Sequence, residues 1–362
     1  MKSNLRYYPP EKWAHDWKKH SFDYATECIG YSVQQRAIEV IYVGNGPVKV
    51  LMWSQMHGNE SSSTRALVQL LDHYRTAEGV SALAGVQLAI IPQLNPDGAA
   101  LYTRLNAQQQ DLNRDAQALS QPESVVLQQF CQQYQPHYAF NLHGQRTIFG
   151  AGLQGRPATL SFLAPAGDAE KNITKARLKA MHLIADIRQE LPTDLDEAVG
   201  RYDDAFNLNC VGDTFTQLGI PTLLFESGHY PQDYDRTTTV NFTFQALKAA
   251  ILRIQKPIAR KDPAADYHKI PENTKDWVDL MLHPVTLVKD EELMPDQFLF
   301  LQYEEQLKEG SIEFKPVFHS ISPEKSFKPH TQIQFNNKNE VFQIGEKDLK
   351  SWNYNNLLMN YL

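Results

Sequence analysis

Between residue 36 and about residue 255, short β-branched or apolar runs alternate with longer stretches whose apolar residues recur at helical spacing. The runs predict strands at 37–43, 48–55, 86–92, 138–143, 160–164 and 222–226. The longer stretches predict helices at 61–76, 123–134, 170–189 and 240–255. Such alternation is the signature of an α/β fold, with a mixed, mostly parallel central sheet flanked by helices. Several predicted strands stop where polar text begins, as in VLMWSQMHGNE, IIPQLNPDG, AFNLHGQ and LLFESG. Open α/β sheets place their ligands at these carboxyl ends.

The texture changes after residue 255, where KPIARKDPAADYHKIPENTK is charged and contains Pro, so it reads as a surface linker. Strands are predicted again at 297–303, 311–318 and 331–335, separated by turn-forming residues. The expected organisation is a catalytic domain over 1–258, a linker or wrapping segment over 259–285, and a small β-rich module over 286–362. A chain of 362 residues is long enough for that division.

With 42% hydrophobic and 21% charged residues, the composition is that of a globular protein with ample core material. A formal charge of -7 offers no basic footprint for a phosphate backbone, which sets nucleic acid aside. The first ten residues lack the apolar run of a secretory signal, and nothing later approaches a membrane span. Three scattered cysteines, Cys28, Cys131 and Cys210, suit a reducing compartment better than a disulfide scaffold. The expected setting is the cytoplasm, with no membrane partner and with oligomerisation left open.

Candidate chemistry gathers at the strand ends. His57 and Glu60 lie three positions apart between a predicted strand and a predicted helix, and His143 closes another apolar strand. Neutral imidazole and carboxylate are good zinc ligands, and a catalytic zinc takes three protein ligands while keeping one position open. NPDG at 95–98 and RLNAQQQDLNRD at 104–115 accompany them. Other hydrolytic devices are missing from the text: it has no GxSxG elbow and no HExxH helix, and no cysteine has a convincing His partner.

In their order along residues 30–255, HGNE, NPDG, RLN, DLNRD, NLHGQ and LLFESG resemble the zinc carboxypeptidase family (M14-type metallopeptidases). The resemblance implies that family's fold and one Zn2+ ion, held by His57, Glu60 and His143. It makes Glu226 the general base and acid that takes a proton from water and returns it to the leaving nitrogen. Arg104 would stabilise the developing oxyanion. Asn113 and Arg114 would grip a terminal carboxylate, which a guanidinium fork can meet with two parallel bonds. The implied activity is hydrolysis of a C-terminal amide of a peptide with a free carboxylate.

Beyond these motifs the match loosens. Tyr202 lies at about the family's separation between its lid tyrosine and its catalytic Glu, in surroundings unlike the digestive enzymes. Arg201, Asp203 and Asp204 suit a polar pocket or a solvated loop, His229 and Tyr230 suit substrate contact or packing, and Asp97 suits a turn or the support of a metal ligand. HGNE also occurs in deacylases resembling aspartoacylase and succinylglutamate desuccinylase, which makes N-acyl amino acids the alternative substrates. A silent binding module would be marked by loss of a ligand or of the shuttle carboxylate, and His57, Glu60, His143 and Glu226 are all present.

Overall fold

A computed structural model describes residues 1–20, 23–257, 261–289, 292–334 and 341–343. The larger of its two main sheets has eight strands, β1 (Ala25–Tyr31), β2 (Ala37–Val43), β3 (Val48–Trp53), β4 (Val86–Ile91), β5 (Tyr138–Gly144), β6 (Leu160–Leu163), β7 (Val199–Arg201) and β8 (Thr222–Ser227). Across the sheet they run in the order β1-β2-β4-β3-β5-β8-β6-β7. The middle strands β4, β3, β5 and β8 are mutually parallel. The pairs β1 with β2, β2 with β4 and β8 with β6 are antiparallel. The sheet is therefore mixed, with its parallel part at the centre. All four central strands end at one edge.

The central strands are apolar on both faces because helices cover both. Val50, Met52, Leu88, Ile90, Phe140 and Phe225 face a core shared with α1 (Pro10–Trp17), α2 (Ser62–His73) and two further helices. Leu51, Trp53, Ala89, Ile91 and Ala139 face the opposite core. On that second face lie α3 (Pro122–Tyr134), with Leu127 and Phe130, and α5 (Val211–Gln217), with Val211 and Phe215. On the first face α4 (Lys175–Glu190) contributes Ile184 and Ile187, and α6 (Thr237–Ile254) contributes Leu247 and Ile251. Helix α4 starts later than residue 170 because the side chain of Thr174 caps it, accepting from the Arg177 N–H.

The second sheet joins the two ends of the chain. Its strands are Lys2–Ser3, β9 (Trp277–Lys289), β10 (Glu292–Lys308), β11 (Ser311–Ser322) and β12 (Lys328–Gln334), in the order Lys2–Ser3, β11, β10, β9, β12, with Val341–Gln343 also paired to β9. This corrects the linker expected over 259–285, since residues 263–268 form a helix and β9 starts at Trp277 and runs through the middle of the sheet. Its apolar run is broken by Asp279, which is fully buried but satisfied: it accepts from Tyr234 Oη at 2.7 Å, from the Tyr303 N–H at 2.7 Å and from Thr147 Oγ1 at 3.2 Å. Tyr234 and Thr147 belong to the part of the chain that builds the large sheet, so this carboxylate ties the small sheet to it. The strand expected at 331–335 is present as far as Gln334, and Phe335 lies outside the described residues, as does most of the expected module beyond it. Among the described residues no helix is long and apolar enough to cross a membrane.

Candidate metal centre

His57 and Glu60 follow β3 in a tight turn, with the Glu60 N–H bonded to the His57 carbonyl at 3.1 Å. Gly58 within that turn has no room for a side chain, because a Cβ there would sit 1.9 Å from the Gly98 carbonyl carbon. The close approach comes from the short helix Pro96–Leu101, whose N-cap Asn95 accepts from the Gly98 N–H at 2.8 Å and donates to the Met56 carbonyl at 3.2 Å. NPDG thus seats the turn that carries the ligands. Asp97 is committed elsewhere, to Ser32 Oγ at 2.9 Å, the Gln34 N–H at 2.9 Å and Arg36 at 2.6 Å, so it supports the edge of the sheet and not a ligand.

His143 sits near the end of β5, directly opposite Glu226 in the register of the parallel pair β5 and β8. Residues so paired project to the same side. His57 Nδ1 lies 2.8 Å from Glu60 Oε1, His143 Nδ1 lies 2.9 Å from Glu60 Oε2, and the two Nδ1 atoms are 3.1 Å apart. This is a group of three side chains whose ligand atoms all fall within 4.8 Å of one another.

The donor chemistry of this trio fits a divalent cation. His57 Nε2 lies 3.0 Å from Asp111 Oδ1, a partner that suits an Nε2–H and leaves Nδ1, which faces Glu60, as the nitrogen for a metal. A divalent cation between Nδ1 and the carboxylate would take both as ligands. A tetrahedral zinc with ligands at about 2.0–2.1 Å sets neighbouring ligand atoms roughly 3.3 Å apart, close to the spacing here. Burial alone would push the His57 imidazole down, but the Glu60 charge and the Asp111 bond outweigh it and raise it. Burial lowers His143. Glu60 resists its own burial and stays ionised far below the usual carboxylate range, chiefly through the charge of His57 and the bond to His143.

Around the trio lie the other residues singled out in the sequence. Asp111 Oδ2 accepts from Arg104 Nε at 3.1 Å and Nη2 at 2.9 Å, so one carboxylate holds both a ligand histidine and the candidate oxyanion donor. Arg104 Nη1 comes within 3.2 Å of His57 Nδ1 and 3.4 Å of Glu60 Oε1. Glu226 is 8% exposed and its Oε2 is buried without a partner. Burial, reinforced by the Glu60 charge and opposed by Arg104, raises its carboxyl well above the ordinary value. Asn113 Oδ1 accepts from the Val211 N–H at 3.1 Å, and Arg114 Nη1 donates to the Asn113 carbonyl at 2.7 Å and contacts Cys210 Sγ at 3.1 Å. Arg114 is thus not paired with Asp111 or Asp115.

His57, Glu60, His143, Arg104, Asn113, Arg114, Tyr202 and Glu226 all line one cavity of about 1100 Å³. Tyr202 packs on Phe149 with ring centroids 5.4 Å apart, and burial raises its phenol, with Glu226 and Glu60 adding to the effect. Asp203 lines the cavity, whereas Asp204 pairs with Arg177 and Lys171, and Arg201 pairs with Glu272. His229 is buried against Tyr234 and His330, and Tyr230 packs on Phe242, so both are packing groups.

Sequence reasoning missed Asp111 as a supporting group, although it stands inside the DLNRD motif. It also missed Asp213 in α5, a cavity residue whose carboxyl burial pushes up to about 7. Arg6, Glu305 and Phe314, which also line the cavity, lie in segments that carried no motif.

Residues 11–115 match the family model for zinc carboxypeptidase. Over 99 residues the chain is 27% identical to a probable carboxypeptidase 2 of Arthroderma benhamiae, covering 26% of this chain and 19% of that protein. The carboxypeptidase 2 of Trichophyton rubrum is matched at 27% identity over 26% of this chain and 18% of its own. The chain therefore spans about a fifth of the length of these curated relatives. A metallo-carboxypeptidase from Burkholderia cenocepacia superposes with a TM-score of 0.56 at 16% identity, over 68% of this chain and 70% of that one. A metallo-carboxypeptidase from Pseudomonas aeruginosa gives 0.55 at 18% identity, over 69% and 70%. The chain is thus similar to the zinc carboxypeptidases in sequence over residues 11–115 and in fold over about two thirds of its length.

Proposed function

We propose that the protein is a zinc-dependent metallopeptidase of carboxypeptidase type, which releases the C-terminal residue of a peptide. The observation that carries this reading is the convergence of His57 Nδ1, Glu60 and His143 Nδ1, with Glu226 in register beside His143. One zinc held by those residues would supply an acidified water and a polarised scissile carbonyl.

The chain's own groups do the rest. The raised, unpartnered Glu226 carboxyl takes a proton from the attacking water and delivers it to the nitrogen as the C–N bond breaks. Arg104, aligned by Asp111 and 45% exposed towards the cavity, meets the oxygen that gains charge, a contribution of about 3–4 kcal/mol when a comparable donor is removed. Asn113 has its oxygen committed to Val211, which leaves its NH2 and the Arg114 fork to receive the terminal carboxylate. Tyr202 lies on the wall beside Glu226 and closes over the reacting bond.

A second reading, deacylation of N-acyl amino acids, uses the same ligands, shuttle and carboxylate grip. It is favoured by the second sheet, which reaches the cavity through Gln302, Tyr303, Glu305, Phe314 and Phe318. Free peptides assayed against N-acyl amino acids separate the two. Turnover of peptides, lost by about 10²–10⁴-fold in Glu226→Gln with zinc still bound, is the expected result. Turnover of acyl amino acids alone refutes the peptidase reading, and near-normal turnover by Glu226→Gln refutes the mechanism.

A further inference from the structure

Behind the candidate metal ligands the strand register lays out a second row of side chains. His143 of β5 pairs with Glu226 of β8; two positions earlier on the same face, Asn141 pairs with Leu224, which pairs in turn with Leu163 of β6. Trp53 of β3 completes the row on the other side of Asn141. Two residues along a strand advance about 6.4–6.8 Å. Asn141, Leu224 and Leu163 line the cavity. One row further back, Leu51, Ala139 and Thr222 are fully buried, and Leu51 and Ala139 belong to the core that Val211 and Phe215 of α5 share. The Asn141 row is thus the floor of the cavity on this side.

Helix α5 lies over this floor. Phe215 meets the Trp53 ring edge-on at 5.5 Å, Gly212 and Asp213 of the first turn line the cavity, and the N-cap residue Cys210 touches Arg114 at 3.1 Å. The floor therefore lies on the Arg114 side of the metal ligands. Where Arg114 takes the terminal carboxylate, the side chain of that same residue has this floor beneath it. Asn141 is 1% exposed, and its Oδ1 is buried with no hydrogen-bond partner. A buried acceptor left unpaired is unfavourable, and an N–H donor entering the pocket would satisfy it.

We propose that Asn141 selects the leaving amino acid, and that this amino acid ends in a neutral N–H donor at the length of a glutamine side chain. The proposal deepens the hydrolase reading above and rests on it. Leu224 and Leu163 continue the row beside Asn141, so the floor offers apolar contact to the methylenes and one acceptor to the head. Charge favours a neutral head over an ammonium. Burial raises the Asp213 carboxyl to about 7 even with Arg177 and Arg114 acting against it, so below neutral pH it holds no full negative charge to pair with a cation. In that protonated form it can donate to the oxygen of an amide.

The test is a calorimetric titration of the zinc-loaded Glu226→Gln protein, which reads binding apart from turnover. The ligands are N-acetylated dipeptides that differ only in their last residue, which is Gln, Met of the same length without the donor, or Lys. The Gln ligand is expected to bind at least about tenfold more tightly than either of the others. Adding Asn141→Leu is expected to bring the Gln-to-Met ratio close to one; if that variant fails to fold, Asn141→Asp is expected to shift the preference from Gln to Lys. Binding of Met or Lys as tight as Gln overturns the proposal, as does a ratio untouched by the Asn141 variants or binding of none of the three. The readings fail separately: a Gln preference in binding with no cleavage by the wild type sinks the hydrolase reading alone, and cleavage of all three with equal kcat/KM sinks the Asn141 subsite alone.

Discussion

Asp111 meets the Nε2 of His57 at 3.0 Å and leaves Nδ1 as the nitrogen proposed to take the metal. The same carboxylate aligns Arg104, the proposed oxyanion donor. Asp111→Asn replaces an acceptor with a group that can donate, so zinc affinity is expected to fall about 10–100-fold; competition against a chelator measures it, and an unchanged affinity would contradict the role. Asp213 makes a different prediction. Burial raises its carboxyl to about 7, against nearby amides, Arg177 and Arg114. A raised acid favours the fold fully below about pH 4 and loses that contribution as pH rises through 7. Wild-type stability should therefore drop between pH 5 and pH 8 by about 1–2 kcal/mol after allowance for solvent screening, and Asp213→Asn should lose that slope in denaturant melts. His57, Glu60, His143 and Glu226 stood out in the sequence because HGNE, NLHGQ and LLFESG fall at the ends of apolar runs in the order that the family resemblance needs. Asp111 and Asp213 were not, since a carboxylate's partners lie across the fold and not along the chain.

Elements buried on both faces announce themselves. The strand expected at 37–43 is β2 at the same bounds, and β3, β4, β5, β6 and β8 differ from expectation by two residues or fewer at their ends. The edge strand β1, ATECIGY, lies largely exposed and has no apolar period to read. Strand β9 was hidden for another reason. A polar, Pro-containing stretch precedes it, and within it Asp279, His283 and Pro284 interrupt the pattern. Tyr234, Thr147 and the Tyr303 amide make a buried Asp279 tolerable, and all are far away in sequence.

At the scale of the whole molecule, the two ends of the chain meet in one sheet, with Lys2 and Ser3 paired to Glu313 and Ile312. That pairing and the grip of Arg6 on Glu305 place the small sheet over the carboxyl ends of the large one. No local pattern could show it, because the partners are separated by nearly the whole chain. The large sheet gathers the candidate ligands, and the small one lines the cavity beside them. All of this depends on a cation at the trio. Anomalous diffraction collected on either side of the zinc absorption edge, from crystals grown with equimolar zinc, tests it directly. The account predicts one strong peak about 2.0–2.2 Å from His57 Nδ1, a Glu60 oxygen and His143 Nδ1. A peak bound elsewhere, with those three side chains turned apart, would contradict it.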